Sequence, residues 1–226
     1  MHIEPGIVEG GKILLSYGTA AAAIGYGGKL AMETLKRDGG ASLVLRALLA
    51  TMLVFVFFEV FPTQAVGVSE VHLILGSTLL LLFGAGPTAI GLAAGLLVQG
   101  VFFAPDDLPQ YTMNVTTLLV PLFAIAALAR RIVPADSAYV DLRYGQVFKL
   151  SLAYQGGIVA WVAFWALYGQ GVGADNLNSV MTFGAAYLLV VVLEPLVDLA
   201  VLAAARTLRS LKGSMALEKR LYEGMR

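Results

Sequence analysis

Seven apolar stretches, cut apart by short runs of Gly, Pro and charge, decide the solvent of this chain before any residue is weighed singly. They cover residues 13–32, 42–61, 71–84, 88–104, 114–129, 148–168 and 179–205. The cuts carry turn and breaker residues: Arg37-Asp38-Gly39-Gly40, Phe61-Pro62, Gly84-Ala85-Gly86-Pro87, Pro105-Asp106-Asp107, Arg130-Arg131 with Pro134, and the segment from Gly169 to Asn178. A bilayer core about 30 Å thick takes roughly 20 helical residues per crossing. The 226 residues therefore supply about seven crossings and little else. Charged residues make up 13% of the chain, against roughly 25% in a soluble domain. The expected fold is all-α: a polytopic membrane protein, one transmembrane domain over residues 1–226, with no soluble catalytic domain and no enzyme activity. The stretch 71–84 is short for a crossing and is expected to lie inside the bundle, away from lipid.

Charge distribution gives the orientation. Lys and Arg near span ends are retained in the cytoplasm. Lys29, Lys36, Arg37 and Arg46 flank the first loop. Arg130, Arg131, Arg143 and Lys149 flank the fifth, and Arg206, Arg209, Lys212, Lys219, Arg220 and Arg226 occupy the tail. Chain parity puts these fourteen of fifteen basic residues on one side and leaves Lys12 for the other. The N-terminus is then outside, with residues 1–12 extracytoplasmic, and residues 206–226 form a cytoplasmic basic tail. The outer side carries Glu4, Glu9, Glu70, Asp106, Asp107 and Asp175, a face that attracts cations. The formal net charge is zero, which gives no support to a nucleic-acid partner. Two other readings fail. Gly6 to Lys12 has phosphate-loop spacing, but Ile13 stands where Ser or Thr is needed and no strand precedes it. A cleaved signal peptide is disfavoured by the acidic leading region.

The same parity brings His2, His72, Gln99 and Asn114 to the outer end. A free amine on Met1, the backbone nitrogen of His2 and its imidazole Nδ1 can close two chelate rings on one metal ion, and His72 would supply a fourth nitrogen. A planar nitrogen set suits Ni(II) or Cu(II), with Co(II) a plausible guest, whereas Ca(II) and Mg(II) demand oxygen. The amine, with an ordinary pKa near 8, must lose its proton to bind, so affinity should fall in acid. The plainer reading of the same residues is a solvated His2 and a hydrogen-bonding His72. Cys is absent, so thiolate ligands do not enter.

Taken in order, Met1-His2-Ile3, His72 with Gly76 one turn on, Gly86-Pro87, Gln99 and Asn114 resemble the substrate-binding membrane subunit of cobalt/nickel energy-coupling-factor transporters, the CbiM/NikM family. The likeness covers roughly residues 1–125 and the number of spans. It implies that Met1, His2 and His72 are the metal ligands and that Gln99 and Asn114 support them. It also implies that the divalent ion, Co2+ or Ni2+, is the substrate. The implied partners are a coupling membrane subunit and ATP-binding subunits, with membrane lipid around the chain in the cell (inner) membrane. The chain departs from the family pattern at Glu4-Pro5-Gly6 and at Asp106-Asp107. The alternative function is a metal-free membrane scaffold or assembly subunit.

Two features are left open by the sequence. Glu194 and Asp198, four apart in the last span, share a helix face, and an intramembrane acid is a functional candidate; the pair could equally sit near the cytoplasmic surface and meet basic loops. Ala20 to Ala23, Gly25 and Gly27 give the first span a small-residue face that permits close helix approach, internal or with a partner.

Overall fold

The computed structural model describes residues 3–224 and contains seven α-helices among them. Helix α1 (Leu14–Asp38) buries Ser16, Ala20, Ala23, Gly27, Leu30 and Thr34. Steps of four and three residues keep one seam facing its neighbours. The small-residue face is thereby divided. Ala20, Ala23 and Gly27 pack inward, with Gly27 against Ala89 and Phe123, while Ala21, Ala22 and Gly25 stay exposed.

Helix α2 (Gly40–Glu59) lies against α4 (Ala85–Phe102). The contact is close because α4 offers glycines: a Cβ on Gly91 would run into Ala50, and one on Gly95 into Val54. Such small-xxx-small spacing lets helix backbones approach where lipid supplies no hydrophobic drive. Helix α5 (Tyr111–Ile132) packs on α6 (Tyr144–Gln170), where Pro121 fits over Gly157. Helix α7 (Ala174–Thr207) closes the bundle against α6.

Five of these segments are long and apolar enough to cross a membrane: α2, α4, α5 with its preceding turn, α6 and α7. Helix α1 has the length, 25 residues, but a more polar composition.

The region 71–84 differs from expectation. Its helix, α3 (Gly76–Phe83), has eight residues, and His72 precedes it instead of opening it. In front stands a hairpin the sequence reading missed, β1 (Gln64–Val66) and β2 (Ser69–Val71), antiparallel with Ala65 opposite Glu70. The two-residue turn places Gly67 at φ 62°, the left-handed region that tight hairpin turns require. Burial of α3 inside the bundle is as expected: of its eight residues only Leu82 is not fully buried.

The bundle has two chemically distinct ends. At one, the first and fifth loops meet the tail. Arg46, fully buried, donates from Nη1 to Glu218 Oε2 at 2.8 Å and to the Phe83 carbonyl at 3.1 Å, and from Nη2 to Asp38. Arg37 and Lys219 complete this network, and Arg220 donates to the carbonyls of Val133 and Pro134. The tail is therefore folded back onto the bundle. Burial alone would raise the Asp38 pKa, but hydrogen bonds from Arg37, Arg46 and Lys219 outweigh it and hold the carboxyl well below its ordinary range. At the other end lie the chain start, the hairpin, the turn over Pro105–Gln110 and the α6–α7 loop, tied together in part by Lys12 Nζ donating to the Gly169 carbonyl at 2.7 Å.

Candidate metal centre

The first described residues lie alongside β2 at this second end. Ile3, 1% exposed, bridges to Ser69 of β2, and the Glu4 N–H donates to the Val68 carbonyl at 3.2 Å. The Ile3 N–H donates to Asn114 Oδ1 at 2.9 Å. Asn114 opens the second turn of α5 and is 1% exposed, so its amide is aimed at the main chain by a rigid element. A buried backbone N–H needs such a partner. Met1 and His2, the expected first ligands, lie outside the described residues.

His72 follows β2 directly, 2% exposed. Its ring meets Phe58 edge-on at 5.2 Å between centroids, and its Nε2 lies 2.8 Å from Glu70 Oε2. A carboxylate on one ring nitrogen fixes the tautomer and the orientation of the imidazole, which is how metal-binding histidines are commonly prepared. Glu70 is the functional candidate that sequence reasoning left as mere surface acidity. The available signal was Gly67 set between two short segments rich in valine, Val66 on one side and Val68 and Val71 on the other, which permits a hairpin.

Gln99 is 5% exposed near the C-terminal end of α4, with Oε1 lacking a hydrogen-bond partner. Its neighbour Gly100 and Asn114 border one small cavity with Asp107 and Tyr111. Asn114 Nδ2 likewise has no partner. The structure thus gathers His72, Gln99 and Asn114 at the end where the chain begins, while among the described residues no three His, Cys, Asp or Glu side chains form a metal cluster. Electrostatically this end is acidic. Burial first, then the charges of Glu70 and Asp107, push the Glu4 carboxyl above its ordinary range.

Glu194 and Asp198 do not meet the basic loops. They are buried against Ser77 and Thr78 of α3, and the basic residues find Asp38 and Glu218 instead.

The fold is that of a multi-pass helical membrane protein whose first described residues lie against β2, close to a buried histidine. The family can be stated more closely. The chain belongs to the CbiM family: the family model described as the cobalt uptake substrate-specific transmembrane region matches residues 2–211. It is a substrate-specific membrane component of cobalt uptake, a transport component and not an enzyme family. No curated protein and no solved structure matches the chain.

Proposed function

We propose that the chain is the substrate-capture subunit of an energy-coupling-factor transporter, taking cobalt or nickel from the extracytoplasmic side. The ion is held by the Met1 amine, the backbone and imidazole nitrogens of His2, and the imidazole of His72. One observation carries this reading: the residue next to His2 is clamped, by Asn114 on one side and Ser69 on the other, and Ser69 lies three residues before His72 in the chain. A main-chain chelate needs its backbone held in place, and that clamp supplies it. Glu70 orients His72, and Gln99 and Asn114 support the ligands. Coupling and ATP-binding subunits provide the energy. The direct test is the metal content of the purified chain with a free, unextended N-terminus. One tightly bound cobalt or nickel ion is expected, and a protein that takes up neither at neutral pH would leave only a scaffold role.

Supporting residues and ligands should separate in such measurements. Asn114→Ala, Gln99→Ala and Glu70→Gln should each weaken metal affinity by roughly 10- to 100-fold without abolishing it, the usual cost of losing an outer partner. Isothermal titration checks this; unchanged affinity in all three would remove the support assigned to them.

The same reading sets the orientation, hairpin end outside and folded tail in the cytoplasm. Single cysteines at the exposed positions Asp106 and Asp175 should react with a membrane-impermeant reagent on intact cells, and one at Ser137 should not. Labelling of position 137 would reverse the topology. The Cys-free chain keeps the background clean.

A further inference from the structure

A second polar cluster lies in the bundle interior, where α3, α6 and α7 meet. Glu194 and Asp198, one turn apart on α7, are 0% and 1% exposed. Ser77 serves both. Its Oγ is 2.8 Å from Glu194 Oε1 and 2.6 Å from Asp198 Oδ2, and its backbone N–H lies 3.3 Å from Glu194 Oε1. The Thr78 hydroxyl donates to Asp198 Oδ1.

Hydrogen counting exposes a deficit. One serine hydroxyl carries one hydrogen, so it can donate to only one of the two carboxylates, and the other short oxygen–oxygen contact needs a positive centre from elsewhere. Charge counting agrees. The groups facing the pair are Ser77 and Thr78 from α3, Ser151 and Tyr154 from α6, and Tyr187 from α7, none of them cationic. Two uncompensated negative charges in an apolar interior are costly.

A second kind of observation points the same way. Tyr154 and Tyr187, both 0% exposed and both within electrostatic reach of Glu194, have hydroxyls without hydrogen-bond partners, as does Glu194 Oε2. The Tyr154 hydroxyl abuts Gly76, where an added Cβ would come within 2.5 Å of it, and so points at the residue beside Ser77. Three buried oxygens are thus left open around a pair that no positive charge faces.

We propose that Glu194, Asp198 and Ser77 form an intramembrane site for one hard monovalent cation, a proton or sodium, that offsets one of the pair's two negative charges and fastens α7 to the first turn of α3. The spacings of 2.6 and 2.8 Å are hydrogen-bond distances and accept a proton directly; sodium would use the open oxygens. The fastened corner is a special one: Leu75, between His72 and α3, has φ 55°, the only positive φ outside glycine among the described residues. A non-glycine residue holds that conformation only where its surroundings enforce it. The bound cation is therefore structural, distinct from the cargo, and the inference does not depend on the metal reading.

The test uses the full purified chain at neutral pH, in choline chloride and in sodium chloride. If the cation is a proton, infrared spectra show the carbonyl stretch of an un-ionised carboxyl group that shifts in D2O, with no effect of sodium. If it is sodium, that band is absent in sodium chloride, and sodium raises Tm over choline. Whichever signal is seen should be lost in the Glu194→Gln, Asp198→Asn double variant, or in Asp198→Asn alone should the double variant not fold. A wild-type protein with neither signal overturns the proposal whatever the variants do. So does a signal that survives both substitutions, or stabilisation by calcium without either signal.

Discussion

A single residue added ahead of Met1 is expected to abolish tight cobalt or nickel binding, about as completely as His72→Ala does. The reason is chemical. An added residue converts the α-amine into an amide, whose nitrogen no longer offers a lone pair at neutral pH, and it breaks the chelate ring that the amine closes with the His2 backbone nitrogen. No side-chain substitution elsewhere imitates that loss. The clamp at Ile3 is unaffected, because its partners, Asn114 Oδ1 and Ser69, lie downstream of the extension. The extended chain should therefore fold normally, so that lost binding reports on the ligand and not on the bundle. The effect should exceed the roughly 10- to 100-fold expected for a supporting residue, since a first ligand is removed in each case. The same residue added at the C-terminus should be harmless. The measurement is metal stoichiometry and affinity of the three proteins side by side. Stoichiometric, tightly held metal in the N-terminally extended form would show that the amine is not a ligand.

The places where the sequence could and could not be read have physical causes. Long helices were legible because lipid demands long apolar runs and closed backbone hydrogen bonding, and breakers such as Gly84-Ala85-Gly86-Pro87 marked their ends. Residues 64–83 were not, because a three-residue strand pair is too short to show a period and the buried corner and short buried helix that follow are both apolar, so hydropathy alone cannot tell them apart. His72 was named, but the strand that ends just before it was not, and Glu70 was read only as one of the outer acids because its place 2.8 Å from His72 depends on that strand. Asn114 and Gln99 were placed correctly at the end where the chain begins, since parity of crossings needs only the count of helices between them. What sequence could not supply was the object Asn114 holds, a backbone N–H 111 residues away. Nor could it show that Arg46, read as a loop charge, is wholly buried.

That burial makes Arg46→Ala the substitution expected to cost most in stability. Arg46 sits on α2 with 0% of its side chain exposed and holds two acids, Asp38 at 2% and Glu218 at 6% side-chain exposure. It also reaches the Phe83 carbonyl, so one guanidinium joins the first loop, the end of α3 and the tail. Removing one member of a buried, hydrogen-bonded charge set leaves the others uncompensated, at about 3–5 kcal/mol. Arg37 touches the same two acids but is 51% exposed. Water and salt screen such a pair, so Arg37→Ala should cost no more than about 1 kcal/mol. The contrast separates burial from mere charge, because both changes delete one positive charge from one network. The pH dependence follows from Asp38, whose pKa is held below its ordinary value. Stability from a depressed carboxyl is fully present above the ordinary carboxylate range and is lost progressively as pH falls from that range to the lower, folded value. Wild-type protein should therefore lose this contribution only in acid, below the ordinary carboxylate range. Arg46→Ala, with Asp38 less well held, has less of it to lose and should show a shallower fall in stability over the same acid window. Thermal unfolding in detergent across a pH series reads both effects. Equal losses in the two arginine variants, with parallel acid profiles, would mean that Arg46 acts only as a surface charge and that the folded tail is not fastened through it.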